Sequence, residues 1–462
     1  MAEKSAIPVE LGTEKIGRLL KQYALPAIIA QTASSLYNMV DSIFIGQGVG
    51  PLAISGLAVT FPLMNLSTAF GTLVGAGAAT MLSVLLGQKN YKAANKVLGN
   101  VVSLNVILGL LFMAVALIFI DPILYFFGAS ENTLPYAKEY IQIILYGNIV
   151  THLYFGLNAA MRSSGNPKKA MALTIFTVVF NTILDPIFIF VFDMGIAGAA
   201  WATVIAQTAA MIVVLKHFSD KSRAFHFEKG IFKLDPRVAK DSLVIGMGPF
   251  LMNAAACLVT LFINQQLRDY SGDLGIGSYG ICNRFIFMFI MICMGLNQGM
   301  QPIAGYNYGA KQYSRVKEVF WMTAKFGTIV TTLCFCIGMF IPRLASGIFT
   351  HDEELLNMSA EGLRILTIGF PIVGFQMIGT NFFQCLGMVK KSIILSLSRQ
   401  LLFLLPLLYC LPLWMGANGV WMSFPISDVL SAILTAILLR RLFKKFNTLK
   451  DGEESTILGS NL

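Results

Sequence analysis

Twelve apolar runs divide this chain of 462 residues from end to end. They lie at about 18–46, 51–86, 97–120, 134–161, 168–192, 195–217, 238–267, 274–306, 318–341, 356–386, 390–413 and 416–443. A straight span of a bilayer needs ~20 apolar residues in helical form, and every run supplies roughly that or more. Only 13% of the residues are charged and 56% are hydrophobic. A soluble protein carries about 25% charged residues, so this chain cannot cover itself with a polar surface. The pattern predicts an all-α membrane protein of twelve transmembrane helices. The longer runs must tilt, bend or project from the bilayer. Pro26, Pro186, Pro249, Pro302 and Pro371 are the candidate bend points, since proline removes a helix hydrogen bond.

The runs form two copies of one pattern. Shifted by about 222 residues, the chain matches itself: Gly87, Lys89 and Tyr91 fall on Gly309, Lys311 and Tyr313. Phe127, Glu131, Leu134 and Glu139 fall on Phe349, Glu353, Leu356 and Glu361, and Gly147 falls on Gly369. Gly165, Lys168 and Lys169 fall on Gly387, Lys390 and Lys391. Each repeat has six helices, so both insert with the same orientation. They are then related by a pseudo-two-fold axis along the membrane normal, an arrangement suited to alternating access. The expected organisation is a segment 1–17, an N-lobe 18–216, a linker 217–237, a C-lobe 238–443 and a tail 444–462.

The net charge of +10 does not point to nucleic acid. The lysines and arginines sit between apolar runs, where they set orientation. One set of loops and ends carries 27 of them, whereas the opposite loops carry Arg268 and Arg343. This bias places both termini in the cytoplasm. The amino-terminal stretch has mixed charge and leads straight into an apolar helix, so no removable signal peptide is expected. The seven cysteines all lie in apolar stretches of the second half, and the four histidines lack zinc spacing. No metal centre or cofactor is expected.

Polar residues present in only one repeat need a reason beyond the shared fold. Asp41 lies in the first run, and its counterpart near Asn264 is uncharged. Asn181 and Asp185 form an i,i+4 pair in NTILDP, whereas their counterparts Phe403 and Leu407 are apolar. Helical rise puts Asp41, Asp185 and Thr203 on the order of 10 Å inside the outer boundary, with Asn181 one turn deeper. A carboxylate in hydrocarbon costs ~3 kcal/mol or more and is usually kept for ion or proton handling. Two carboxylates in one dry pocket favour uptake of a proton or small cation. The second half has Arg284 in its second run, a candidate for the substrate path, and Arg399 and Asp428, candidates for a structural ion pair.

The stretches YNMVDSIFIGQGVGPLAISGLAVTFP, LLGQKNY, MRSSGNPKKAM and FNTILDPIFIF, together with the repeat, resemble the multidrug and toxic compound extrusion (MATE) transporters, in their DinF- and MepA-like bacterial branch. The resemblance implies a cation-coupled antiporter, not an enzyme, that exports lipophilic, often cationic compounds. It further implies a coupling-ion site for H⁺ or Na⁺ at Asp41, Asn158, Asn181, Asp185 and Thr203, with Tyr37 close by and Pro26 as the bend in the first helix. The protein is then expected as a monomer in the bacterial inner membrane, in contact with membrane lipids and small-molecule substrates. The sequence departs from the NorM-like branch, because its seventh run has no acid between Asp241 at its start and Asp269 beyond its end. A lipid-linked precursor flippase of the same superfamily would need a more basic cavity. A membrane-embedded enzyme would need a catalytic cluster near an interface, and the sequence shows none.

Overall fold

The computed structural model describes residues 8–453, apart from 224, 229, 231 and 351. Its spans, labelled here in chain order, are α1 (Ile16–Gly48), α2 (Pro51–Gly87), α3 (Tyr91–Ile118), α4 (Leu134–Tyr146 and Asn148–Ser163), α5 (Pro167–Val191) and α6 (Gly195–Ser219). The second set is α7 (Pro236–Gly272), α8 (Leu274–Gly309), α9 (Tyr313–Phe340), α10 (Glu353–Thr367 and Phe370–Cys385), α11 (Val389–Met415) and α12 (Ala417–Phe446). Among the described residues, nine of these helices are singly long and apolar enough to cross a membrane, and the two parts of α10, bent by 55°, make a tenth. The other two are α1 and α4. Both are interrupted by polar residues such as Asp41 in α1 and Asn148 and His152 in α4.

Helices α3 and α9 begin at Tyr91 and Tyr313, six and five residues earlier than their apolar runs. Charged first turns (Lys92 and Lys96, Arg315 and Lys317) carry these helices beyond the hydrocarbon, and the Asn90 side chain caps α3 by accepting from Ala93 N at 3.2 Å.

The repeat reaches down to backbone dihedrals. Lys89 and Lys311 are matched by the shift and adopt φ of 60° and 57°. A left-handed non-glycine residue costs roughly 1–2 kcal/mol, and here it closes the same turn twice. Lys89 N–H donates to Leu86 O at 3.1 Å and Asn90 N–H to Leu85 O at 2.9 Å. Lys311 N–H donates to Tyr308 O at 3.1 Å and Gln312 N–H to Asn307 O at 2.8 Å. Likewise α4 breaks at Gly147 and α10 at the matched Gly369.

The described residues form two compact units. One contains residues up to 13 and 29–250, and the other contains 14–28 and residues from 251 onward. The borders run inside α1 at Ile28/Ile29 and inside α7 at Phe250/Leu251. Glycine explains these borders. In the first unit, a Cβ on Gly77 of α2 would lie 1.8 Å from Ser242 O of α7, and one on Gly246 of α7 would lie 1.8 Å from Leu73 O of α2. In the second unit, a Cβ on Gly299 or Gly295 of α8 would lie 2.4 Å from Ala24 Cα or 2.5 Å from Ile28 Cα of α1. Positions 77 and 299 are matched by the repeat. The opening half of each repeat's first helix therefore packs, through small-residue contacts, on the second helix of the other repeat.

The first unit has a core of Ile45, Leu57, Tyr140, Ile189, Ile196 and Ala199. The second has a larger one that includes Phe285, Leu363, Phe370 and Trp421. The linker before α7 is fastened to the start of α3: Asn95 Nδ2 donates to Glu228 at 2.8 Å and Ser103 Oγ to Phe232 O at 2.6 Å. Asp235 caps α7, accepting from Arg237 N and Val238 N at 3.1 and 3.4 Å. The Val238 N–H, with further help from Arg237 N–H and Lys96, holds the Asp235 carboxyl below its ordinary value.

Candidate functional site

Three helices of the first unit bring their polar residues to one buried place. On α5, Asn181 and Asp185 stand one turn apart, and Asn181 Nδ2 donates to Asp185 Oδ1 at 3.1 Å. Immediately after Asp185, Pro186 removes a backbone donor, and residues Ile187–Val191 continue as a π-helical turn. On α1, Asp41 is 6% exposed, while Asn181 and Asp185 are 2% and 0% exposed. Asp41 and Asp185 interact electrostatically. Tyr37, one turn before Asp41, shares a 2.9 Å hydrogen bond with Thr203 of α6, which ties α1 to α6.

Three oxygens in this group have no hydrogen-bond partner among the described residues: Asp41 Oδ1, Asn181 Oδ1 and Asp185 Oδ2. A buried acceptor without a donor costs about 1–3 kcal/mol, and more if it is charged. Two carboxylates and an amide oxygen without donors form a set that a proton or a small hard cation would satisfy. Aspartate and amide oxygens suit such a cation, whereas soft transition metals prefer nitrogen and sulfur.

The structure does not bring Asn158 into this group by any hydrogen bond. Its Nδ2 donates instead to Ala170 O, near the start of α5, at 3.1 Å. Ala170 precedes Asn181 by eleven residues, roughly 16 Å of helical rise. Tyr154 and Thr174, joined at 3.2 Å, lie between the two levels. Arg284 is exposed on α8 and forms no ion pair among the described residues. Arg399 and Asp428 are joined, Nε to Oδ1, at 2.7 Å. Pro26 lies two residues before the unit border in α1.

Tyr140 of α4 belongs with the site, although nothing in the pattern along α4 marks it. It is 2% exposed and within electrostatic reach of both Asp41 and Asp185. Its repeat counterpart is Gly362, the same asymmetry that singles out Asp185. A second buried polar cluster lies on the same helix, α4, at the residues that interrupt its apolar run. Ser67 Oγ donates to Asn148, and His152 Nε2 lies 2.9 Å from Ser67 O. The carbonyl can only accept, so this ring nitrogen carries the proton. Asn148 Nδ2 donates to Gly109 O at 3.2 Å, so the cluster binds α2, α3 and α4 together.

A family model described as MatE matches residues 26–187 and again 249–410, once in each repeat. The chain is 28% identical over 426 residues to the multidrug export protein MepA of Staphylococcus aureus (strain MSSA476), covering 92% of this chain and 94% of that protein. It is 27% identical over 424 residues to MepA of Staphylococcus haemolyticus (strain JCSC1435), covering 92% and 93%. Among solved structures it resembles the MATE multidrug transporter DinF-BH, solved as a complex, with TM-score 0.88, 37% identity and coverage of 95% and 98%. An outward-facing multidrug resistance MATE transporter of the MOP superfamily shares the fold, with TM-score 0.90, 22% identity and coverage of 97% and 100%. With both repeats matched and the twelve helices arranged as in these relatives, the chain belongs to the MatE family of membrane transporters.

Proposed function

We propose that the protein is a cation-coupled antiporter that exports lipophilic, often cationic compounds by alternating access. The observation that carries this reading is the trio of unpartnered oxygens on Asp41, Asn181 and Asp185 in the first unit. The names of the relatives, a multidrug export protein and a multidrug transporter, support the substrate class. A proton or Na⁺ entering the site relieves the like-charge contact between Asp41 and Asp185 and supplies the missing partner for their oxygens. Thr203 and Tyr37 hold α1 in register with α6, so an ion at Asp41 is felt along α1, which can bend near Pro26. Substrate release then accompanies ion entry, and ion release on the cytoplasmic side resets the carrier. The charge bias of the loops supports cytoplasmic termini and an inner-membrane location, with the protein acting as a monomer without a cofactor.

The test is dye efflux from proteoliposomes with Na⁺ and pH gradients imposed independently. Efflux driven by one of the two gradients is the expected result. Efflux that ignores both, or translocation of a lipid-linked glycan with no dye efflux, would overturn the reading.

A further inference from the structure

The second unit contains a built cation that the coupling site does not use. Arg399 lies in a π-helical stretch, Ser398–Leu404, within α11. A π turn disturbs the regular ladder of backbone bonds, and such turns recur at functional sites. Here the Arg399 carbonyl is taken by Ser427 Oγ of α12 at 2.7 Å. Next to Ser427, Asp428 accepts from Arg399 Nε at 2.7 Å. Asp428 is itself 2% exposed, and a Cβ on Gly369 would lie 3.1 Å from its Cβ, so the break in α10 seats it closely. Backbone and Nε are thus both held, and the guanidinium has little freedom.

What remains is the end of the fork. Nη1 and Nη2 of Arg399 donate no hydrogen bond to any described residue, and the side chain is 27% exposed against 3% for Asp428. Tyr279 of α8 lies within electrostatic reach. Exposed donors of a guanidinium are not left in hydrocarbon, where they cost several kcal/mol, so this end faces water or a polar ligand. Two parallel N–H groups on a planar cation match a carboxylate or phosphate oxygen pair. Arg399 follows Val389, the start of α11, by ten residues, about 15 Å of rise. That depth is below the headgroups of a lipid leaflet and favours a group on a transported compound.

We propose that the Arg399 fork, held by Asp428 and Ser427, is a subsite for the carboxylate of zwitterionic substrates. The proposal rests on the export reading and extends it from cations to compounds that also carry an acid. Rhodamine 6G, an ethyl ester cation, and rhodamine 19, its free acid, differ at the group the fork would bind. Arg399→Gln alone would leave Asp428 buried and unpaired, so the variant to use is Arg399→Gln with Asp428→Asn. Binding is measured by fluorescence anisotropy on purified protein and export in proteoliposomes, each with and without phosphatidylglycerol.

The double variant should bind rhodamine 19 about tenfold more weakly, the loss expected for a charge-assisted hydrogen-bond pair, and should bind rhodamine 6G as the wild type does. Arg399→Lys should fall between, since it keeps the charge and loses the fork. Equal loss for both dyes would make the pair structural and overturn the proposal. Unchanged binding of both dyes, or an effect seen only with phosphatidylglycerol, would do the same. Wild-type export of rhodamine 6G without binding of rhodamine 19 overturns the subsite and leaves the export reading intact. Arg399-dependent binding without export of either dye does the reverse.

Discussion

Asp41 and Asp185 are chemically alike, but they are held differently. Asp185 has one oxygen occupied by Asn181 Nδ2, whereas Asp41 Oδ1 has no partner among the described residues. If their charge is the coupling element, Asp41→Asn and Asp185→Asn should each reduce gradient-driven dye efflux to background, with normal membrane insertion and thermal stability. Full efflux by both variants would remove the ion site. Tyr37→Phe is a finer probe, because it deletes only the hydroxyl that meets Thr203. A single hydrogen bond is worth about 1 kcal/mol, so the half-saturating ion concentration should rise about fivefold while maximal efflux is kept. Proteoliposome kinetics at varied ion concentration measure both quantities.

Helix crossings set the next level. Gly77 and Gly299 occupy matched positions and allow two matched close crossings, one in each unit. Gly77→Ala and Gly299→Ala should each destabilise by roughly 1–3 kcal/mol, the usual cost of overpacking, and lower the apparent Tm in detergent. Gly280→Ala is the control, since a Cβ there meets nothing within 4 Å, and it should leave Tm unchanged or slightly raised. The start of α7 responds to pH instead. Asp235 is held below its ordinary value by the amides it caps. A carboxyl lowered in the folded state stabilises above its unfolded value, and that contribution is lost as pH falls through the lower folded one. The cap should therefore be intact at pH 7 and open only below about pH 4. Protection of residues 233–245 against hydrogen exchange, taken relative to the intrinsic rate at each pH, should fall on acidification into that range, and Asp235→Ala should lower it already at pH 7.

At the scale of the molecule, energetics decides which gradient the carrier can use. One proton exchanged for one monovalent cation moves no net charge, so it draws about 1.4 kcal/mol per pH unit and nothing from the potential. A neutral substrate adds ~2.3 kcal/mol per 100 mV. Export of rhodamine 6G should therefore be insensitive to a valinomycin-imposed potential, and export of a neutral dye should respond to it. A potential-dependent rate for the cation would require more than one coupling ion per cycle. The zwitterion of the Arg399 proposal has no net charge and should behave as the neutral dye does.

Hydropathy and the repeat were enough to show twelve helices in two sets of six. Both depend on local sequence: apolar length sets a span, and a matched glycine or lysine sets a matched turn, as at Lys89 and Lys311. The carboxylates were legible because one repeat lacks them, and a charge in hydrocarbon has few explanations. Three things needed the tertiary structure. Tyr140 joins the site through the packing of α4, not through any pattern along α4 itself. Asn158, near the end of α4, meets Ala170 near the start of α5, eleven residues before Asn181. The division of α1 and α7 between two compact units depends on glycines meeting backbones some 170 and 270 residues away in sequence. Periodicity records which face of a helix is buried, but it does not record what that face is buried against.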